Sequence, residues 1–306
     1  MAQSFSAGVA ATRRSRSRLG LLFVAPTFLI VAVFFLFPLG SAVYFALTDW
    51  DGVSPTPRFV AADNFLRMVG DKEVWHALGN NLIWVLVGTT APIVLGLLLA
   101  VVLWSGVRAV LFYRLVFFMP YVLPPIAVGI VWSWIYDPIN GWLNRLLTLV
   151  GLGEAARGWL GEPDSALYAV LAAAIWATFG FVVVIFLAAL QNVDLDLIDA
   201  ARIDGANAAR RLWHVILPQI VPVFFMVTAI TFVGGISVFD IVFIMTGGGP
   251  GNATSVLGTY AFKNAFQLND IGYGTALALL ITVLSLPCVM ILNRVQRALA
   301  KRGMGD

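Results

Sequence analysis

A chain of 306 residues with 60% hydrophobic and 11% charged side chains lacks the polar residues to cover a soluble fold, because soluble domains carry roughly 25% charged residues. Its mean hydropathy of +0.90 points to the bilayer as its solvent. The net charge of +3 is explained below by membrane orientation, so no nucleic-acid surface is read from it, and a single cysteine, Cys288, excludes a disulfide frame.

The chain opens with Arg13, Arg14, Arg16 and Arg18 and then an uncharged run over 19–48. A basic start before an apolar stretch has the outline of a secretory or twin-arginine signal. The run is about twice the length of a signal's apolar region, however, so an uncleaved first span is expected over 20–47. Further uncharged runs over 74–107, 115–136, 165–193, 212–239 and 271–293 each reach the ~20 residues that a helix needs to cross the hydrocarbon core. They predict spans over 78–104, 114–136, 165–190, 219–246 and 271–293. The run over 241–262 contains Thr-Gly-Gly-Gly-Pro-Gly-Asn-Ala-Thr at 246–254, which is turn chemistry. The runs show no period-2 alternation, so helices are expected rather than a barrel. The predicted fold is all-α and integral to the membrane, with six transmembrane helices. A tail over 1–18, a transmembrane domain over 19–293 with a loop over 191–218, and a tail over 294–306 complete the division.

Basic residues sort by side of the membrane. With the N-terminus inside, the inner segments hold thirteen: the four near the start, Arg108, Arg114, Arg202, Arg210, Arg211, Arg294, Arg297, Lys301 and Arg302. The outer loops hold six: Arg58, Arg67, Lys72, Arg145, Arg157 and Lys263. This asymmetry predicts a multi-pass protein of the cytoplasmic (inner) cell membrane with both termini in the cytoplasm.

Chemistry is sparse. The two histidines, His76 and His214, fall on opposite sides of this topology, so no metal site is expected. The lysines follow Asp71, Phe262 and Ala300, which leaves no Gly-Lys-Ser/Thr phosphate loop. No catalytic set can be assembled from polar residues on a common side, and an intramembrane enzyme is not expected.

The 191–218 loop is the most informative stretch. Asp194 or Asp196 can cap a first short helix running to about Ile203, and Gly205 falls where that helix must turn through positive φ. A second helix carrying Arg210 and Arg211 is expected to end before Pro218. Leu195, Ile198, Ile203, Leu212 and Trp213 need a partner to cover them. Two readings stand on the residues alone: an amphipathic helix on the inner leaflet, or a helix that docks a protein.

The loop resembles the signature of binding-protein-dependent ABC importer permeases, which reads Glu-Ala-Ala, three residues, Gly, nine residues, then Ile-x-Leu-Pro. Here it stands as Asp199-Ala200-Ala201, Gly205 and Val215-Ile216-Leu217-Pro218. Aspartate replaces glutamate at 199 and valine replaces isoleucine at 215. Thr48-Asp49-Trp50, Ala77-Leu78-Gly79-Asn80-Asn81, the stretch from Pro120 to Trp132, Tyr136-Asp137-Pro138, Gly141, Asn144, Phe239-Asp240 and Thr246-Gly247-Gly248-Gly249-Pro250 look like the sugar branch. The chain is similar to its compact six-span members within the maltose-type superfamily. The resemblance implies that Asp199, Ala200, Ala201, Arg202, Ile203, Asp204, Gly205, Ala206, Leu217 and Pro218 belong to a coupling loop that fits a groove on an ATPase. It also implies a second homologous permease, two ATPase subunits holding ATP and Mg, and an external solute-binding protein. The expected function is ATP-driven import of a sugar or polyol by alternating access, with no cofactor on this chain. Alternatives are a non-sugar solute such as a glycerophosphodiester, or an ion-coupled secondary transporter, although no internal repeat is apparent.

Candidates for the substrate path come from polar and aromatic residues within spans. Asp240 is the only acidic residue inside a predicted span, and reads either as an acceptor for sugar hydroxyls or as a structural acceptor at a helix end. Gly234 and Gly235 mark a kink, a close helix contact or a widening. Phe239, Trp132 and Tyr136 suit a sugar face or an interfacial belt. Asn80 reads equally as a cap or a ligand.

Overall fold

The computed structural model describes residues 23–302, so the predicted tail over 1–18, the start of the first span and the last four residues lie outside the described residues. Among those described the protein is all-helical, apart from one isolated antiparallel bridge between Thr48 and Phe59. Among the described residues five helices are long and apolar enough to cross a membrane: α1 (Phe23–Ala46), α3 (Lys72–Trp104), α7 (Pro163–Leu190), α9 (Ala208–Ile236) and the Ile271–Leu292 stretch of α12 (Ile271–Arg302). A bent pair, α4 (Val110–Val122) and α5 (Pro125–Ile135), makes a sixth crossing if taken as one span. Shorter helices are α2 (Asp63–Gly70), α6 (Trp142–Leu149), α8 (Leu195–Ile203), α10 (Asp240–Thr246) and α11 (Leu257–Phe262).

Two predicted spans differ from the structure, and local chemistry explains both. The stretch 114–136 is not one straight helix but turns through 98° between Val122 and Pro125. Leu123 and Pro124 each precede a proline, which pushes them out of the helical region; their ψ angles are 137° and 141°. The stretch 219–246 is likewise interrupted. Helix α9 stops at Ile236 just after Gly234-Gly235, and the chain passes through Phe239 at φ −146°, ψ −60° before α10 begins. Two glycines weaken the last turn, and the Ser237 hydroxyl bonds back to the Val233 carbonyl at 2.6 Å.

Pro218 also behaves differently from the sequence expectation: the helix does not end before it. The backbone widens into a π turn over Leu212–Ile216 and continues into Leu217–Ile236. The wider turn accommodates a residue that has no N–H and would crowd the carbonyl four positions back.

In a bilayer, lipid tails are as apolar as leucine, so helices associate through close packing. The centre of the bundle is accordingly built on small residues of α7. Ala166, Ala169 and Ala173 are buried, and Gly180 lies so near the Phe117 backbone of α4 that a Cβ there would overlap its carbonyl. One core sets α7 against α3 and α9 through Val182, Val183, Phe186, Leu187, Ile93 and Val227. A second joins Trp84, Val128, Leu171, Ile241 and Met245. A third sets α12 against α1, α3 and α11 through Ala46, Val74, Leu257, Tyr273 and Leu277.

Candidate functional site

The 191–218 loop is a compact, internally bonded device. Asp194 caps α8, its carboxylate accepting the Asp196 N–H at 2.9 Å. At the far end Gly205 takes φ +79°, Ala206 N–H donates to Ala201 O at 2.9 Å and Gly205 N–H to Arg202 O at 3.1 Å. Those two bonds form a Schellman closure. Asn207 then caps α9 by accepting the Arg210 N–H at 2.9 Å, and the Arg211 guanidinium donates to Ala206 O at 2.7 Å.

The base of the loop is fastened to the bundle while its tip is not. Ile198 is buried in the core shared by α3, α7 and α9. The Asp194 N–H donates to Gln219 Oε1 at 2.9 Å, which ties the start of α8 to α9. Leu212 packs against the same core, whereas Leu195, Trp213 and Ile203 are exposed, the last by 87%. The Asp199–Arg202 pair at 3.5 Å is two-thirds exposed on each side, and such surface pairs contribute roughly 0–1 kcal/mol.

A cavity of about 460 Å³ opens among the middles of the long helices. Its walls come from α3 (Trp84, Gly88), the α4–α5 bend (Tyr121, Leu123, Pro125), α7 (Thr178, Phe181) and the end of α9 (Thr231, Gly234, Gly235). Both interrupted segments contribute walls, through Leu123 and Pro125 at the first break and Gly234, Gly235 and Val238 at the second, and α5 and α10 pack on each other. Pro92 lies inside α3 and has no N–H to offer the Gly88 carbonyl one turn earlier.

The family of binding-protein-dependent transport system inner membrane components matches residues 92–303, more than half of the chain and all of the loop. The chain belongs to this family. It is 35% identical over 293 residues to the diacetylchitobiose uptake system permease protein of Streptomyces coelicolor, covering 90% of this chain and 82% of that protein. It is 31% identical over 281 residues to the trehalose/maltose transport system permease protein of Thermococcus litoralis, covering 92% and 94%. The fold is similar to a solved bacterial alginate ABC transporter in complex with alginate pentasaccharide-bound periplasmic protein. The TM-score is 0.82 at 19% identity, over 95% of this chain and 98% of that one. The protein is a multi-pass inner-membrane permease subunit of an ABC importer, and its relatives include sugar permeases.

Within this permease the sequence-derived path residues do not form one cluster. Gly234 and Gly235 line the cavity. Asp240 does not; it is the exposed first residue of α10, beyond the break, and not an acidic group inside a continuous helix. Asn80 is buried and occupied, donating to Ala253 O at 3.0 Å and Ser255 O at 2.8 Å. It therefore holds the 247–256 turn against α3. Tyr136 is also buried, its hydroxyl donating to Ala169 O at 3.1 Å. Trp132 packs edge-on against Trp176, and Phe239 stacks on Phe243. Trp84, Tyr121, Thr178 and Thr231 carry no individual signal as cavity residues, since each sits in a long uncharged run.

The end of the permease that carries the 247–256 turn is held by a polar clamp. Asp71 caps α3 and also accepts hydrogen bonds from the Tyr260 hydroxyl at 2.7 Å and the Tyr273 hydroxyl at 2.6 Å. Arg67 stacks over the Tyr273 ring and pairs with Asp270 at 2.6 Å. Partial burial pushes the Asp71 carboxyl upward, but the bonds donated by Tyr273 and Tyr260 outweigh it and hold the carboxyl below its ordinary value. A depressed carboxyl contributes stability above its unfolded pKa of ~3.9 and loses it as pH falls through the folded value. Thermal unfolding in detergent should therefore separate the protein from its Asp71→Asn variant at pH 7. The gap should begin to narrow as pH falls below about 4 and go on narrowing as pH falls through the lowered folded value; a gap that does not change with pH across that range assigns the clamp's strength to the hydroxyl bonds alone.

Proposed function

We propose that this permease forms one part of the translocation path of an ATP-driven importer for a sugar or related polyol, working by alternating access. The observation that carries the reading is the loop over 195–211: a capped helix, a Schellman turn and a second capped helix with a fastened base and an exposed apolar tip. A unit rigid within itself transmits displacement to α9, whose backbone continues without a break from Ala208 to Ile236. One of two ATPase subunits, which bind ATP and Mg, docks at that tip, and a second homologous permease completes the path and engages the other. An external solute-binding protein delivers substrate to the opposite end. ATP drives the cycle only through its different affinity for the two conformations. The sugar reading is supported by the solutes named for the two relatives above.

Both termini lie in the cytoplasm on this reading. With Cys288 replaced by alanine, a cysteine at Val53, which is 84% exposed, should react with an impermeant thiol reagent in intact cells. A cysteine at Ala208 should react only after the membrane is opened; the reverse pattern overturns the orientation. A tag on this chain should recover a second permease and an ATPase. Uptake that follows an ion gradient and ignores ATP overturns the importer reading in favour of a secondary transporter.

A further inference from the structure

We infer that the intramembrane cavity selects an uncharged, polyhydroxylated solute and rejects anionic ones, including uronate sugars and phosphate or phosphodiester derivatives. The inference rests on the importer reading above, takes this cavity as a stretch of its path, and names the substrate class.

Every wall of the cavity is uncharged. An anion entering it would leave water for a site with no cation among the lining residues, and desolvating a charge without a partner is costly. The one charged residue adjoining a lining residue in sequence is Asp240, next to Ile241, and it is acidic. It is exposed and outside the wall, so it brings no cation to the cavity either. The cavity is thus wrong for an anion, which would find no countercharge in its wall.

The same walls suit hydroxyls and the C–H faces of a sugar ring. Tyr121 and Phe181 stack with ring centroids 4.6 Å apart and 17° between planes, and both line the cavity. Such surfaces accept the apolar face of a saccharide. The Thr178 and Thr231 hydroxyls donate to Ala174 O at 2.8 Å and Val227 O at 2.9 Å. Both retain acceptor capacity. Trp84 lines the cavity at 4% exposure, and its buried indole nitrogen has no partner among the described residues. The wall therefore offers two neutral hydroxyls with acceptor capacity, aromatic faces and no charge, which suits a neutral polyol. The volume of about 460 Å³ falls in the roughly 300–1,000 Å³ range of small-molecule sites.

The test uses the assembled transporter, purified through this chain with its partners and placed in vesicles with ATP inside. Two pools of solute are supplied: a neutral pool of trehalose, maltose and diacetylchitobiose with their hydrolysis products, and an acidic pool of alginate hydrolysate with glycerol 3-phosphate. Vesicle contents are read by mass spectrometry. The expected result is ATP-dependent entry of at least one neutral solute, in excess of every acidic one by roughly tenfold or more. Entry of an acidic solute at comparable or greater rate overturns this inference and leaves the importer reading intact. Absence of any ATP-dependent entry overturns both.

Discussion

Replacing Gly205 with valine should abolish transport and weaken recovery of the ATPase, while the protein still inserts into the membrane. Gly205 sits at φ +79°, and a Cβ built there meets nothing within 4 Å. The whole cost is therefore backbone strain and not a clash. An L-residue in the left-handed region costs roughly 1–2 kcal/mol, and a β-branched one resists it most. That amount is a factor of about 5–30 in an equilibrium, enough to unmake a closure held by two backbone bonds, Ala206 to Ala201 and Gly205 to Arg202. Losing it re-aims Ile203 and the capped start of α9 together. Gly205→Asn supplies the control, because asparagine tolerates the same conformation, and it should keep most of the transport. Transport by Gly205→Val at the wild-type rate and normal expression overturns the coupling role, as does equal loss in both variants. A cysteine at Ala201 should also crosslink to the ATPase, whereas crosslinking to lipid alone favours the membrane-surface alternative.

The parts of this protein legible in the sequence are those fixed by local chemistry. Uncharged runs gave the long helices because crossing hydrocarbon demands length and apolarity together. The cap at Asp194 or Asp196, the helix end near Ile203 and the turn at Gly205 were legible because a cap, a helix end and a positive φ each leave a residue-type signature, and the structure selects Asp194 as the cap. The interruptions were less legible. Pro124-Pro125 and Gly234-Gly235 lie in runs apolar enough to read as continuous, and hydropathy does not register a 98° turn. Least legible was the cavity, which depends on which faces of four segments meet. Asn80 and Asn81 illustrate the difference. Both were visible as polar residues at a helix start, but the partners of Asn81, the Ile236 carbonyl and the Leu257 N–H, lie more than 150 positions away in sequence. Sequence spacing carries no record of such bonds.

Filling the cavity should stop transport without dismantling the protein, and Gly234→Leu is the substitution that does it. Gly234 lines the cavity, and a Cβ added there meets nothing within 4 Å. A leucine therefore projects into free space, whereas the same change at Gly180 would drive α7 into the Phe117 backbone and destabilise the bundle by overpacking, typically 1–3 kcal/mol or more. Glycine near the end of a helix is also a poor helix former, so a larger residue costs no propensity. Gly234→Leu should be recovered with its partners at wild-type yield, while solute uptake falls by about tenfold or more as the occupant loses room. Gly180→Leu should be recovered poorly. Asp240→Asn is the informative third variant. Asp240 lies outside the cavity wall, at the exposed start of α10. Removing its charge should therefore leave uptake of a neutral solute within about twofold, a change below the ~1.4 kcal/mol that makes a tenfold difference. If Asp240→Asn instead eliminates uptake of a neutral sugar while Gly234→Leu transports normally, the path runs past α10 and not through the cavity between α3, α7 and α9.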